Sequence, residues 1–184
     1  GPASSSTTTA QSLAVLPLKA FDAGDDYLGL GIADAVIRRT SQTGGMIVRP
    51  TSAIQRYMAD DVDALTAARQ VSADVVLEGS VQRAGDRLRV SVNLLRVGDG
   101  ASLWADNFDL RTTDIFEIQD RVAREVASHL QLRIGPAQQA RLGRRPTTSP
   151  QAYEYYMKGL HRLDQRMSFS VAEKAGPIDF FNLA

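Results

Sequence analysis

Val75-Val-Leu-Glu-Gly-Ser-Val-Gln-Arg-Ala-Gly-Asp-Arg-Leu-Arg-Val-Ser-Val-Asn-Leu-Leu95, with Leu103-Trp-Ala-Asp-Asn-Phe-Asp109 close behind, is the stretch that decides the fold. Apolar and polar residues alternate along it, and Ala84-Gly85-Asp86 and Gly98-Asp99-Gly100 supply turn formers between the runs. It reads as three short antiparallel strands. Val75, Leu77, Gly79 and Val81 share one face of the first; Leu88, Val90, Val92 and Leu94 share one face of the second, with Arg89, Ser91 and Asn93 opposite. One face is therefore packed and the other wetter. The third strand sets Trp104 and Phe108 on one side, flanking Asp106.

Working outward, Ser12-Leu-Ala-Val-Leu-Pro-Leu18 is too short for a buried helix and reads as a central strand that Pro17 ends or bulges. Phe21 to Tyr27 reads as an Asp- and Gly-rich loop. Residues 30–42 read as a helix with Ile32, Val36 and Ile37 inward and Asp34, Arg38 and Arg39 outward, stopped by Gly44-Gly45. Met46 to Arg49 is a second strand before Pro50; Thr51 or Ser52 caps a short helix through Tyr57. Asp61 to Val71 gives another helix, with Leu65, Ala68 and Val71 inward. After the three strands, a long helix runs from Asp114 to Leu132, opened by an Asp114–Glu117 capping pair and carrying Ile115, Phe116, Val122, Val126 and Leu130 toward the sheet. Residues 144–150 have linker composition; Gln151 to Arg166 reads as a helix with Tyr153, Tyr156, Leu160 and Leu163 as its apolar stripe, and 170–184 as a second helix broken by Gly176-Pro177. The fold class is α/β: a mixed sheet of about five strands with packed helices and a C-terminal helical extension.

The bulk numbers narrow the function. With 184 residues, 43% hydrophobic and 23% charged, the chain can bury an ordinary core. Lys+Arg and Asp+Glu are each 21, so there is no basic excess for nucleic acid or for a polybasic membrane anchor. No cysteine is present, which removes disulfides, thiolate nucleophiles and zinc–cysteine sites. No apolar run approaches the ~20 residues of a membrane helix. Residues 1–11 are Ser/Thr-rich and expected to be disordered; the initial Gly-Pro reads as a protease remnant, so the chain is expected to be a fragment of a longer protein.

Single motifs favour packing over chemistry. Gly29-Leu-Gly31 lacks the third glycine of a dinucleotide loop and reads as a helix-entry turn. His129 and His161 fall on different helices with no carboxylate pattern for proton transfer or metal. Asp22, Asp25 and Asp26 suit loop solvation and capping better than a hard cation. Ser80 lacks the setting of a nucleophile elbow. No catalytic residue, cofactor or metal site is expected. Candidate ligand contacts are Arg49, which follows a strand and suits an anion at the strand ends, with Tyr27 and Trp104; candidate interaction residues are Tyr153, Tyr156, Phe180 and Phe181.

Six stretches, in order, carry a resemblance: Leu13-Ala-Val-Leu-Pro-Leu18, Tyr27-Leu-Gly-Leu-Gly-Ile-Ala-Asp-Ala35, Val48-Arg-Pro-Thr-Ser-Ala53, Ala73 to Val90, Leu103 to Asp109 and Asp114-Ile-Phe-Glu-Ile-Gln-Asp120. Residues 12–134 resemble the TolB amino-terminal-like module of bacterial signalling proteins. That module typically follows a cytoplasmic output domain and a membrane span and precedes tetratricopeptide repeats; the outputs include class III adenylate cyclases, serine/threonine kinases and CadC-like winged-helix regulators. Gln151-Ala-Tyr-Glu-Tyr-Tyr-Met-Lys-Gly159 is similar to the first helix of such repeats, which makes 135–150 a linker and 151–184 a partial repeat. Gly176-Pro177 departs from the pattern, because proline inside a helix costs ~3 kcal/mol; a cloning junction and a natural insertion both account for it. The resemblance implies a non-enzymatic extracytoplasmic sensor or interaction domain of an inner-membrane signalling protein, partnered by protein or by itself as a homodimer, with the membrane reached only through an upstream span. The alternative is a periplasmic small-molecule-binding or scaffold module.

Overall fold

The computed structural model describes residues 11–58, 62–130, 147–163 and 165. The expected features at 1–10, 135–146 and 166–184, including Phe180, Phe181 and Gly176-Pro177, lie outside the described residues.

Six strands form one mixed sheet. β1 (Ser12–Val15), β2 (Lys19–Ala20), β3 (Ile47–Val48), β4 (Val75–Ala84), β5 (Arg87–Arg96) and β6 (Ser102–Arg111) run in the order β3-β1-β4-β5-β6, with β2 also on β4. β1 is parallel to β3 and β4; β4, β5 and β6 are an antiparallel meander. The strand expected from Ser12 to Leu18 stops at Val15, short of Pro17, and the chain pairs with β4 again only at Lys19–Ala20.

Register explains the core. Leu77 pairs with Leu94 and Val81 with Val90; Val90 in turn pairs with Phe108 and Leu94 with Trp104. Directly paired residues lie on one face. Leu77, Leu88, Val90, Leu94 and Phe108 are buried, and α1 (Asp26–Ser41) and α4 (Ile115–His129) lie on this side of the sheet. The opposite face of the meander is a polar ladder: Ser91 Oγ donates to Asn107 at 2.6 Å, Ser102 Oγ to Asn93 at 2.7 Å, and Arg87 and Arg89 both pair with Asp109. The alternation breaks at the start of β4, where Val75, Val76 and Leu77 are all buried, because α3 (Ala64–Gln70) contacts β4 there.

Several local expectations are corrected. α1 begins at Asp26 rather than 30: the glycines that suggest a loop lie inside the helix, where their missing side chains permit close approach. Asp34 and Arg39 are buried, not outward. Asp34 accepts from Thr51 at 2.9 Å and pairs with Arg38 at 2.9 Å, while Arg39 reaches Asp120 of α4 at 2.8 Å. α2 (Thr51–Ile54) has no side-chain cap, because Pro50 holds the N-cap position and has no side-chain acceptor; the Thr51 hydroxyl donates to Asp34 instead. α3 is capped by Asp63, whose carboxylate accepts from the Thr66 amide, and it buries Ala64, Ala67 and Ala68, with Leu65 and Val71 only partly covered. Asp114 precedes α4 without making a capping hydrogen bond. The apolar stripe of α4 is as expected: Ile115, Phe116, Val122 and Val126 are buried.

A last helix, α5, spans residues 150–163. Its buried residues are Tyr153 and Met157, one turn apart, whereas Tyr156 and Leu163 of the expected stripe are exposed. Met157 takes the inward position because Gly31 of α1 leaves open the space that its side chain fills.

Candidate functional site

Tyr153 sits in a groove between α1 and α4. Its hydroxyl donates to the Gly31 carbonyl at 3.2 Å and accepts from Gln119 Nε2 at 2.9 Å; its ring meets Phe116 at 4.9 Å. Burial pushes the phenol up to about 12. Met157 lies directly over Gly31: a Cβ built there would stand 2.3 Å from the Met157 sulfur. Gly29 is as tightly placed on the sheet side, where a Cβ would meet the Leu18 carbonyl oxygen at 1.9 Å. The Gly-Leu-Gly pair is thus a packing device in two directions. One glycine lets α1 down onto the β1–β2 connection, and the other admits α5 onto α1.

Where α5 begins, the seam opens into a half-open cavity of about 180 Å³. Leu28, Ile115 and Met157 give it apolar walls; Tyr27, Arg83, Thr112, Thr113 and Glu154 give it polar ones. Tyr27 is the keystone. Its hydroxyl accepts from Arg83 Nη1 at 3.1 Å and donates to Glu154 Oε1 at 3.3 Å, and the Lys158 ammonium lies 5.1 Å from its ring centroid. Lys158 pairs with Glu154 at 2.7 Å, and Arg83 lies 3.7 Å from Asp25. Burial raises the Tyr27 phenol; the Lys158 hydrogen bond holds the Glu154 carboxyl below its usual range, and the same bond raises Lys158.

The sequence-derived candidates do not converge. Tyr27 lies at the cavity. Arg49 lies near the start of β4, at the opposite end of that strand from Arg83, where Nη2 donates to the Ser72 carbonyl at 2.6 Å. Ser72 has φ 53, and it closes α3 with its neighbour Ala73 donating to Ala68 at 2.9 Å. Arg49 therefore braces a left-handed turn. Trp104 stacks on His129 at 5.5 Å and leans on Phe108 at 6.5 Å, which ties β6 to the end of α4. Tyr153 faces inward at 1% exposure, and Tyr156 lies beside it at the rim, its hydroxyl 3.5 Å from Asp34. Arg83 and Glu154 are the residues that reading the sequence missed. Arg83 continues the inward series of Val75, Leu77, Gly79 and Val81, so the period-2 signal for it was present.

Among the described residues, no cluster of three His, Cys, Asp or Glu side chains is placed to hold a metal ion, and no helix is long and apolar enough to cross a membrane.

The family model for the HilA/YgeH-like transcriptional regulator, second domain, matches residues 9–125. A protein of Rhizobium meliloti (strain 1021) named "Putative adenylate cyclase 3" is 29% identical over 164 residues, covering 88% of this chain and 28% of that protein. The chain thus spans under a third of the length of this curated relative. Among solved structures, TolB from Acinetobacter baumannii superposes with a TM-score of 0.50 at 14% identity, over 68% of this chain and 29% of TolB, which is a likeness of fold. The PelC dodecamer from Paraburkholderia phytofirmans gives a TM-score of 0.47 at 21% identity, over 67% of this chain and 89% of that one.

Proposed function

The chain belongs to the family of HilA/YgeH-like transcriptional regulator second domains, and from that premise we propose that it is a non-catalytic extracytoplasmic sensor and protein-interaction domain of a bacterial membrane signalling protein. The observation that carries this reading is the seating of α5. The helix that leads out of the described domain is fastened to it through Tyr153, Met157 and Glu154, so a change in the core has a direct mechanical route to whatever follows. A partner or ligand that prefers the seated or the unseated arrangement shifts their populations by its differential affinity alone. The relative named as an adenylate cyclase and the regulator family both suit a module that serves an attached output.

In this proposal the partner is protein, either another component or a second copy, and α5 with the segment behind it is the start of a repeat-like helical region. Tyr155, 68% exposed, and Leu163, 62% exposed, form its outward surface. The test is the full-length protein with residues 12–163 deleted. Its output is expected to lose its response to the inducing condition while the output domain stays active; an unchanged response overturns the reading. Sedimentation at several concentrations tests self-association, and a monomer throughout removes the homodimer. The cavity at Tyr27 favours a second reading, a small-molecule-binding module, which the same molecule accommodates if the ligand is what biases α5.

A further inference from the structure

The cavity at Tyr27 has a composition that specifies a ligand. We infer that it binds a small zwitterion of the α-amino-acid class, held across the seam between α5 and the core; this rests on the sensor reading above and names its input.

One charge of each sign lines the cavity: Arg83 on the core side and Glu154 on the α5 side. Behind them Arg83 lies 3.7 Å from Asp25, and Lys158 pairs with Glu154 at 2.7 Å. A lone anion that reaches Arg83 also faces Glu154, and a lone cation that reaches Glu154 also faces Arg83, so neither gains from the site as a whole. A molecule carrying both charges does gain. Its carboxylate suits Arg83, whose guanidinium carries five donors and uses two on Tyr27 and Gly85; Thr112 and Thr113 also line the cavity. Its ammonium suits Glu154, whose two oxygens have acceptor capacity beyond Lys158 and Tyr27. A short apolar side chain lies against Leu28, Ile115 and Met157. The volume of about 180 Å³ sets the size: an engineered cavity of ~150 Å³ takes benzene, so this one takes a body of roughly six to nine heavy atoms.

Location gives the site its consequence. Pro150, Gln151, Glu154 and Met157 belong to α5, and Tyr27, Leu28, Arg83, Thr112, Thr113 and Ile115 to the core. A molecule bridging the two walls is bound by the seated arrangement and not by the unseated one, so it stabilises the seam by mass action.

The experiment is a thermal-shift series on the protein with L-valine, glycine, L-serine and L-leucine, beside isovalerate and isobutylamine, which each keep one charge of valine. At saturation one or more of the amino acids is expected to raise Tm by about 2–4 °C, with isovalerate and isobutylamine inert and hydrogen-exchange protection rising across residues 150–163. Arg83→Met and Glu154→Gln are each expected to abolish the shift while leaving the unliganded fold intact by circular dichroism. Absence of a shift with all four amino acids, a shift with isovalerate or isobutylamine alone, or a shift that survives both substitutions overturns the inference. None of these outcomes touches the deletion experiment on the full-length protein, so the ligand and the sensor role stand or fall separately.

Discussion

The β4–β6 meander and the α1–α5 seam are held together by opposite means. The meander is cohesive through repetition: two long hairpin ladders, β4–β5 unbroken and β5–β6 with one register shift at Leu94/Leu95, with a buried row on one face and a polar ladder on the other. No single side chain decides it. The seam depends on a few groups. One glycine, one buried tyrosine with two hydrogen bonds, one methionine and one glutamate set the position of a whole helix. A region fastened at so few points opens as a unit at lower cost than the domain unfolds, which is what a movable element needs.

The sharpest way to break this contrast is Tyr153→Ala. Removing a large buried aromatic is expected to cost about 3–5 kcal/mol. If the seam is separable, hydrogen exchange at 150–163 becomes fast while β4–β6 keeps its protection; uniform loss across the chain contradicts separability. Leu88→Ala, in the fully buried row of β5, is expected to cost about 2–5 kcal/mol and to act in the reverse sense, lowering the urea midpoint of the whole domain without singling out α5.

Tyr153→Phe keeps the ring and removes the hydroxyl that Gln119 and Gly31 engage. It is expected to cost about 1–3 kcal/mol and to carry a pH signature. The Tyr153 phenol is pushed up to about 12 from an ordinary 10.0. Its contribution is therefore complete below pH 10 and is lost as pH rises toward 12, because the unfolded chain releases the proton first. Stability measured from pH 9 to 12 is expected to fall less steeply in the phenylalanine variant; parallel curves count against a buried, protonated Tyr153. The smallest effect is expected on the outer ladder. Asn107→Ala removes an exposed partner of Ser91 and is expected to change stability by no more than about 0.5 kcal/mol in equilibrium urea unfolding; a large loss there gives the polar face a structural weight that the contrast denies it.

The two regions also differ in how much of each was legible beforehand. The meander was readable almost to the residue, since alternation and turn chemistry are local signals: Leu88, Val90, Val92 and Leu94 are buried as their spacing requires. The stripe of α4 was readable for the same reason. Around the seam the same signals mislead. Gly29 and Gly31 suggest a turn and are helix interior; Arg39 looks solvated and is buried against Asp120; Tyr156 looks central and Met157 takes its place. In each case the deciding partner is remote in sequence. Of the candidate site, Tyr27 alone was among the ligand contacts expected from the sequence. Arg83 and Glu154 were not, because a charged residue at a strand end or on a helix reads as solvated until the opposite wall is known.

By itself the sequence determined the class of the domain: a mixed sheet with an antiparallel meander and packed helices, and no excess charge for nucleic acid. These follow from periodicity and composition, which need only neighbouring residues. The tertiary structure alone decided that α5 closes on α1 across 122 residues of chain, and that this closure assembles a cavity from Tyr27, Arg83 and Glu154. The reason is physical: glycine declares only an absence of side chain, and which atom occupies that space is settled when the helices pack.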